Sequence, residues 1–172
     1  MCLEHAEHGF SRRNFGALAL GAAGLSLLPL RARASGSAEA LALTCIDYRL
    51  VDDNVRFFDS LKLTNEYDQV GLAGASLAAV SAKFPSAKAA FWDQLKIAVD
   101  LHHVKKLIAV DHRDCGAYKV AFGKAFVAAR DAETAQHKGV MLHLQTALGK
   151  KHPALEYEAY LIALDGTAER IV

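Results

Sequence analysis

The hydrophobic pattern of the chain alternates between short apolar runs and longer segments in which apolar residues recur every three or four positions. Short apolar runs are typical of buried strands, and the longer pattern is typical of amphipathic helices. The predicted strands are 40–45 (ALALTC), 67–74 (YDQVGLAG), 105–112 (KKLIAVDH) and 157–164 (YEAYLIAL). The predicted helices are 52–63, 76–84, a segment after Pro85, 116–129 and 138–150.

Two of these helices have features that fix their bounds or faces. In residues 52–63 the apolar positions are Val55, Phe58 and Leu61 or Leu63, after acidic residues that suit a helix N-terminus. Pro85 is expected to end one helix and begin the next, because proline fits only the first turn of a helix. In that next helix the residues that share a face are Phe91, Leu95, Val99 and His102.

Strands that alternate with helices predict an α/β fold, with a parallel-dominated sheet of about four to five strands covered by helices. The chain has 172 residues, 52% of them hydrophobic, which suits one ordinary domain core. A formal net charge of +1 gives no large basic field for nucleic acid or a membrane surface. We therefore expect no nucleic-acid partner.

The first 34 residues have the features of an export signal. Arg12 and Arg13 precede an uncharged stretch rich in Ala, Leu and Gly, and Ala32 and Ala34 are the small residues that a signal peptidase would read before cleaving after Ala34. The pattern resembles a twin-arginine signal peptide, which predicts export to the periplasm and a mature domain of residues 35–172. An uncleaved anchor is the alternative, and we expect no membrane association after cleavage.

Chemically distinctive residues follow the first and third predicted strands. Cys45, Asp47 and Arg49 lie at the end of the first or just after it, and His112 ends the third, with Cys115 three residues later. The carboxyl ends of parallel strands meet at one edge of a sheet, so the two groups can converge. Two thiolates and an imidazole form a zinc site with a fourth position for water.

The role of Asp47 has two alternatives at this point. It can be the fourth metal ligand, or it can pair with Arg49 and accept a hydrogen bond from zinc-bound water. In an exported protein a disulfide between Cys45 and Cys115 is a further alternative to the metal site.

The paired motifs C-x-D-x-R at 45–49 and H-x-x-C-G at 112–116 resemble those of the β-class carbonic anhydrases. The resemblance implies that Zn²⁺ is bound by Cys45, His112 and Cys115, with Asp47 and Arg49 as the catalytic dyad. It implies hydration of carbon dioxide to bicarbonate by a zinc-bound hydroxide, in a homodimer with the fold of that family.

The resemblance is incomplete after the second strand. Family members commonly have Arg-Asn-Ala-Gly there, whereas residues 72–75 read Leu-Ala-Gly-Ala and lack both the charge and the amide. The alternatives are therefore hydrolysis of carbonyl sulfide or carbon disulfide on the same zinc, or a non-catalytic exported zinc-binding protein in which Asp47 closes the site.

The other polar and aromatic residues have simpler expected roles. Arg113 and Asp114 are expected to be solvated charges in a turn, and Tyr48 lines the site or packs. Histidines expected at the surface or in packing, rather than as proton shuttles, are His102, His103, His137, His143 and His152. Aromatic and leucine side chains expected in the core or an interface are Phe57, Phe58, Phe91, Trp92 and Leu95.

Overall fold

The described part of the chain is built around one mixed sheet. The computed structural model describes residues 36–172, so the predicted signal peptide at 1–34 lies outside the described residues. The strands are β1 (Ala40–Thr44), β2 (Tyr67–Gly71), β3 (Lys106–His112), β4 (Glu156–Ile162) and β5 (Ala168–Arg170). Their order is β2-β1-β3-β4-β5, with β5 antiparallel to β4 and the other pairs parallel. The predicted parallel-dominated α/β sheet is confirmed.

Helices connect the strands and cover both faces of the sheet. They are α1 (Val51–Ser60), α2 (Ser76–Val80), α3 (Pro85–His102), α4 (Gly116–Phe122) and α5 (Arg130–Lys151). Two short 3-10 turns occupy Tyr48–Leu50 and Lys124–Val127. Pro85 is in the first turn of α3, as its sequence context predicted.

Alternating residues of β1 divide the core between the two faces of the sheet. Leu41 and Leu43 belong to the larger cluster, which packs against α2, α3, α4 and α5. Ala40 and Ala42 belong to a smaller cluster that contains Phe58 of α1. A strand with period-two side chains can serve two cores in this way, and it is then buried along its whole length.

The register of β1 and β3 determines where the site lies. Thr44, the last residue of β1, is opposite Val110 in the neighbouring parallel strand. The chain leaves both strands at the same edge of the sheet, so the segments after β1 and β3 are adjacent.

Several bounds of helices and strands, and the buried face of one helix, differ from the sequence-based prediction. Val55 is 47% exposed rather than buried, because the buried face of α1 is formed by Asn54 and Phe58. The predicted helix 116–129 is interrupted at Gly123, whose φ of 86° breaks the helical path. The last helix begins at Arg130 rather than at 138, and β5 follows the predicted closing strand. Within residues 36–172, no helix combines the length and apolarity needed to span a bilayer.

Candidate metal centre

Three side chains from the two strand ends converge on one point. Cys45 directly follows β1, His112 is the last residue of β3, and Cys115 caps the N-terminus of α4. Their ligand atoms all lie within 4.8 Å of one another, and the two Sγ atoms are 4.0 Å apart. Both thiols are free, and their separation is about twice the length of a disulfide bond. The structure therefore brings together the three predicted ligands.

The donor set and its spacing fit a tetrahedral zinc ion. Two thiolates at about 2.3 Å from one zinc are separated by about 3.8 Å, close to the observed Sγ–Sγ distance. The Nδ1 of His112 donates to the carbonyl of Arg113 at 2.8 Å, so in the neutral imidazole the lone pair is on Nε2. That Nε2 is buried and has no hydrogen-bond partner among the described residues. A lone pair in this position is suited to a metal.

The two thiols have very different proton affinities. The hydrogen bond with Cys115, together with His112 and the Gly74 amide at 3.3 Å, lowers the pKa of Cys45 to about 4 despite its partial burial. The same contact with Cys45 and burial raise the pKa of Cys115 well above its usual range. Cys45 is therefore the thiol that ionises first, and a bound zinc would take both sulfurs as thiolates.

Asp47 and Arg49 form a bidentate ion pair beside the three ligands. Arg49 Nε donates to Asp47 Oδ1 at 2.9 Å, Nη2 donates to Oδ2 at 2.8 Å, and the Arg49 amide donates to Oδ1 at 3.1 Å. These bonds lower the pKa of Asp47 to about 2. Asp47 Oδ2 lies 3.7 Å from His112 Nε2, and Arg49 also donates to Asp114 at 3.2 Å. The carboxylate is thus ionised and held next to the candidate metal position.

The turn after β2 lies against the Cys45 thiolate. Gly74 has φ 87°, and a Cβ there would come within 3.0 Å of the Ala117 Cβ. Glycine at this position therefore permits the close approach of α4. Its backbone conformation also directs the Gly74 amide toward Cys45 Sγ, which accepts a hydrogen bond from it. Ala75 follows with φ 42° and ψ −106°, a conformation that L-residues rarely adopt, and its side chain is fully buried.

The expectation that Arg113 is a solvated charge is wrong. Arg113 is only 8% exposed, and its guanidinium donates to Glu133, Thr134 and Glu169. The turn that carries it is packed against α5, which the local sequence did not indicate. Asp114 is partly exposed, but its side chain accepts from Arg49 and Lys119 instead of being free in solvent.

Glu133 is the residue near the site that the sequence reasoning missed. It lies in the first turn of α5, is 5% exposed, and accepts from both Arg113 and the Asp114 amide. An acidic residue in a first helical turn is common at the surface, so its pattern alone carried no signal.

The other predicted residues lie outside the three-ligand cluster. Tyr48 is 85% exposed, so it does not pack within this chain. His137 is fully buried and bonds Asp111, and His102 pairs with Asp68. Fully buried core positions among the expected aromatic and leucine residues are Phe58, Phe91 and Leu95.

Comparison with known proteins adds a family to this geometry. A family model described as "Putative carbonic anhydrase" matches residues 36–141, more than half of the chain. Two uncharacterised proteins, from Rickettsia conorii and Rickettsia bellii, are each 34% identical over 134 residues. That alignment covers 78% of this chain, and 72% and 82% of the two relatives.

Solved structures agree with the family at the level of the fold. The β-carbonic anhydrase CafA of Aspergillus fumigatus superposes with a TM-score of 0.56 at 16% identity, covering 92% of this chain and 86% of that one. A β-carbonic anhydrase of Trichomonas vaginalis gives 0.54 at 16% identity, covering 95% and 98%. The carbonic anhydrase of Streptococcus mutans gives 0.52 at 14% identity, covering 93% and 95%. The chain therefore belongs to this carbonic anhydrase family and has the fold of the β-carbonic anhydrases.

Proposed function

We propose that the protein is a zinc lyase that hydrates carbon dioxide to bicarbonate. The observation that carries the proposal is the convergence of two thiols and an unpartnered imidazole nitrogen beside an ionised carboxylate held by an arginine. Membership of the carbonic anhydrase family supports the same activity.

The three converging residues would hold the zinc, each through one atom. Cys45 and Cys115 would provide Sγ, and His112 would provide Nε2 because its Nδ1 is engaged with a carbonyl. Zinc supplies Lewis acidity, which makes water nucleophilic near neutral pH. Two thiolates weaken that acidity relative to neutral ligands, so we expect activity to rise toward alkaline pH.

Asp47 and Arg49 would orient the attacking water and keep it in a reactive position. Because Arg49 occupies both carboxylate oxygens, Asp47 stays ionised and can accept a hydrogen bond but cannot donate one. A fixed acceptor selects one orientation of the water, which lowers the entropic part of the barrier. The pKa of Asp47, at about 2, keeps this role unchanged over the neutral range.

Hydrolysis of carbonyl sulfide or carbon disulfide is the second candidate reaction. It is favoured by the apolar turn at residues 72–75, where the resemblance predicts an arginine and an asparagine. These substrates need no different nucleophile, so the ligand set accommodates them equally well. A purely metal-binding role is disfavoured by the three hydrogen bonds through which Arg49 holds Asp47.

The test combines metal analysis with kinetics on the purified protein. We expect about one zinc per chain, and stopped-flow carbon dioxide hydration that rises between about pH 6.5 and about pH 9 and is lost after chelation. Zinc without hydration, but with release of hydrogen sulfide from carbonyl sulfide or carbon disulfide, would establish the second candidate. Zinc with neither activity would indicate the binding role, and no zinc would refute all three.

We also propose that the chain forms a homodimer through the surface beside the site. Four exposed apolar side chains lie within ten residues there: Ile46, Tyr48, Val51 and Val55. Tetrameric β-carbonic anhydrases of Sordaria macrospora share the fold, with a TM-score of 0.50 at 12% identity. A charged Val55→Lys variant should sediment as a monomer if this surface is the interface, and an unchanged mass would exclude it.

Export to the periplasm remains part of the proposal and rests on the sequence of residues 1–34 alone. The twin-arginine route moves folded proteins, so a zinc ion could be bound before export. N-terminal sequencing of protein recovered from the periplasm should begin at Ser35, and full-length protein confined to the cytosol would refute export.

A further inference from the structure

A buried cluster of charged side chains joins the metal-binding turn to α5 and β5. Arg113 Nη1 donates to Glu133 Oε2 at 3.1 Å, and Nη2 donates to Thr134 Oγ1 at 2.9 Å and to Glu169. The side chains of Arg113 and Glu133 are 9% and 7% exposed, whereas that of Glu169 is 46% exposed. The Arg113–Glu133 pair is therefore largely desolvated, and the contact with Glu169 is at the surface.

The cluster acts on both residues that separate the metal ligands His112 and Cys115. The second oxygen of Glu133 accepts from the Asp114 amide at 2.6 Å, so one carboxylate holds the Arg113 side chain and the next backbone unit. The Arg113 carbonyl accepts from His112 Nδ1 at 2.8 Å. Any shift of Glu133 would therefore reach the imidazole through Arg113 and the thiol through Asp114.

The backbone in this turn needs such support. Asp114 has φ 60°, the left-handed conformation that costs a non-glycine residue free energy. The backbone amide of Asp114 donates a hydrogen bond to Glu133. The Arg113 amide also donates to Ile162 of β4 at 3.0 Å, so the turn is anchored on two sides.

Stability alone is a poor reason for this arrangement. A buried ion pair recovers little net free energy, because the desolvation of both charges offsets their attraction, and apolar residues of similar size often serve as well. A carboxylate that accepts hydrogen bonds through both oxygens, however, fixes the orientation of its partners as well as their distance, which a hydrophobic contact cannot do. Both partners lie between two candidate ligands in the sequence, so their orientation affects those ligands.

We propose that Glu133 is a positioning residue of the metal centre. Its two oxygens fix the residues between His112 and Cys115, and through them the orientation of the imidazole and the position of the thiol. Groups that hold metal ligands in place commonly account for about 10- to 100-fold in metal affinity. This inference rests on the proposed zinc centre, but not on the substrate.

The experiment compares Glu133→Gln with Glu169→Gln in the full chain. Both variants remove one carboxylate charge from the same guanidinium, but only the first changes a group that accepts from the backbone of the metal-binding turn, at the Asp114 amide. The readouts are the rate of zinc release to a chelator and the absorption spectrum of the cobalt(II) form. We expect release to accelerate about tenfold or more and the spectrum to shift in Glu133→Gln, with changes within about twofold in Glu169→Gln.

The cobalt spectrum separates positioning from folding, because a merely structural role would leave the bound metal in its native geometry. Equal zinc release and identical spectra in the wild type and Glu133→Gln would overturn the proposal. If Glu133→Gln does not fold, Glu133→Asp provides the test, since it keeps the charge but is one methylene shorter and cannot reach both Arg113 and the Asp114 amide in the same way. Native zinc release and a native spectrum in Glu133→Asp would also overturn the proposal.

The outcome is independent of the activity assay. A wild-type protein that binds zinc but hydrates no carbon dioxide would refute the proposed reaction, while a perturbed Glu133→Gln spectrum would still support the positioning role. A wild-type protein that binds neither zinc nor cobalt(II) would refute both.

Discussion

The two segments that form the candidate metal centre differ sharply in their surroundings. The segment after β3 is buried: His112 and Cys115 are each 1% exposed, and the turn between them is held by Glu133. The segment after β1 is at the surface, where Tyr48 is 85% exposed and Ile46 is 65% exposed. One half of the site is therefore embedded in the protein core and the other half faces solvent.

This difference suggests a division of labour in the proposed enzyme. A metal needs ligands whose positions do not change, and the buried half provides two of the three. A small substrate needs access from solvent and a fixed polar group beside the metal, and the partly exposed Asp47–Arg49 pair provides both. We expect changes in the buried half to alter metal binding, and changes in the exposed half to alter turnover.

The largest effect is expected for Cys115→Ser, which removes a ligand from the buried half. Binding of structural zinc releases about 10–16 kcal/mol, so one ligand in three accounts for about 3–5 kcal/mol, or about 1000-fold in affinity. Zinc should be lost on dialysis, and activity should be lost with it. Competition with a chelating dye measures the affinity directly.

Cys45→Ser is the matched control on the exposed side. Cys45 is only partly buried, so water can replace the missing ligand more easily, and the loss in zinc affinity should be about tenfold smaller. Equal losses in the two variants would break the proposed distinction between the halves. A loss larger for Cys45→Ser than for Cys115→Ser would reverse it.

Asp47→Asn is expected to separate turnover from metal binding. The amide keeps the size of the carboxylate but loses its charge and one acceptor, so zinc should be retained while turnover falls by about 100-fold. Zinc content and stopped-flow hydration on the same preparation measure both quantities. Full activity in Asp47→Asn would remove the proposed role of the carboxylate, and loss of zinc would place Asp47 with the ligands.

The pH dependence of stability provides a control for the same variant. Pairing with Arg49 lowers the pKa of Asp47 from 3.8 to about 2, so the contribution of this pair is present above the higher value. It is lost as pH falls through about 2. The acid limb of the stability curve should therefore be shallower in Asp47→Asn, and an identical limb would mean that the ion pair contributes no folding free energy.

The exposed half of the site could be predicted from the sequence more fully than the buried half. Asp47 and Arg49 are two residues apart, and their pairing is a local property that spacing alone suggests. Glu133 is 20 residues from Arg113, and its contact exists only because α5 packs against the turn after β3. Local charge patterns cannot indicate such a contact, which is why Arg113 was assigned to solvent.

The fold was predictable for a similar reason. Apolar runs predicted β1 and β3. Because strands alternate with helices along the chain, the sequence also predicted a parallel sheet, in which the carboxyl ends of these strands lie at the same edge. The break at Gly123 and the short β5 depend on tertiary packing and on one residue in a positive-φ conformation, so hydrophobic periodicity did not reveal them. The buried face of α1 was mispredicted at Val55, because Asn54 and Phe58 form that face and Val55 is on the side that faces solvent.

The smallest effect is expected for a substitution at Ala75, in the turn that contacts Cys45. Its effect on the free energy of unfolding tests whether the exposed half of the site contains backbone strain. Ala75 has φ 42° and ψ −106°, which costs about 1–3 kcal/mol in a residue with a side chain. Glycine would relieve that cost, but it would add about 0.5–1 kcal/mol of unfolded-state entropy and remove a buried methyl worth about 0.8 kcal/mol. With a strain relief of about 2 kcal/mol and a combined cost of about 1.5 kcal/mol, Ala75→Gly should raise the free energy of unfolding by about 0.5 kcal/mol.

Ala73→Gly is the control for that measurement, because Ala73 is exposed in the same turn and has no positive φ. It should lower the free energy of unfolding by about 0.5–1 kcal/mol, since it adds entropy and relieves nothing. Urea denaturation of the zinc-loaded forms gives both values. If Ala75 is not strained, Ala75→Gly should lose the buried methyl as well and be destabilised by about 0.8 kcal/mol more than Ala73→Gly, and the exposed half would then differ from the buried half in solvent access alone.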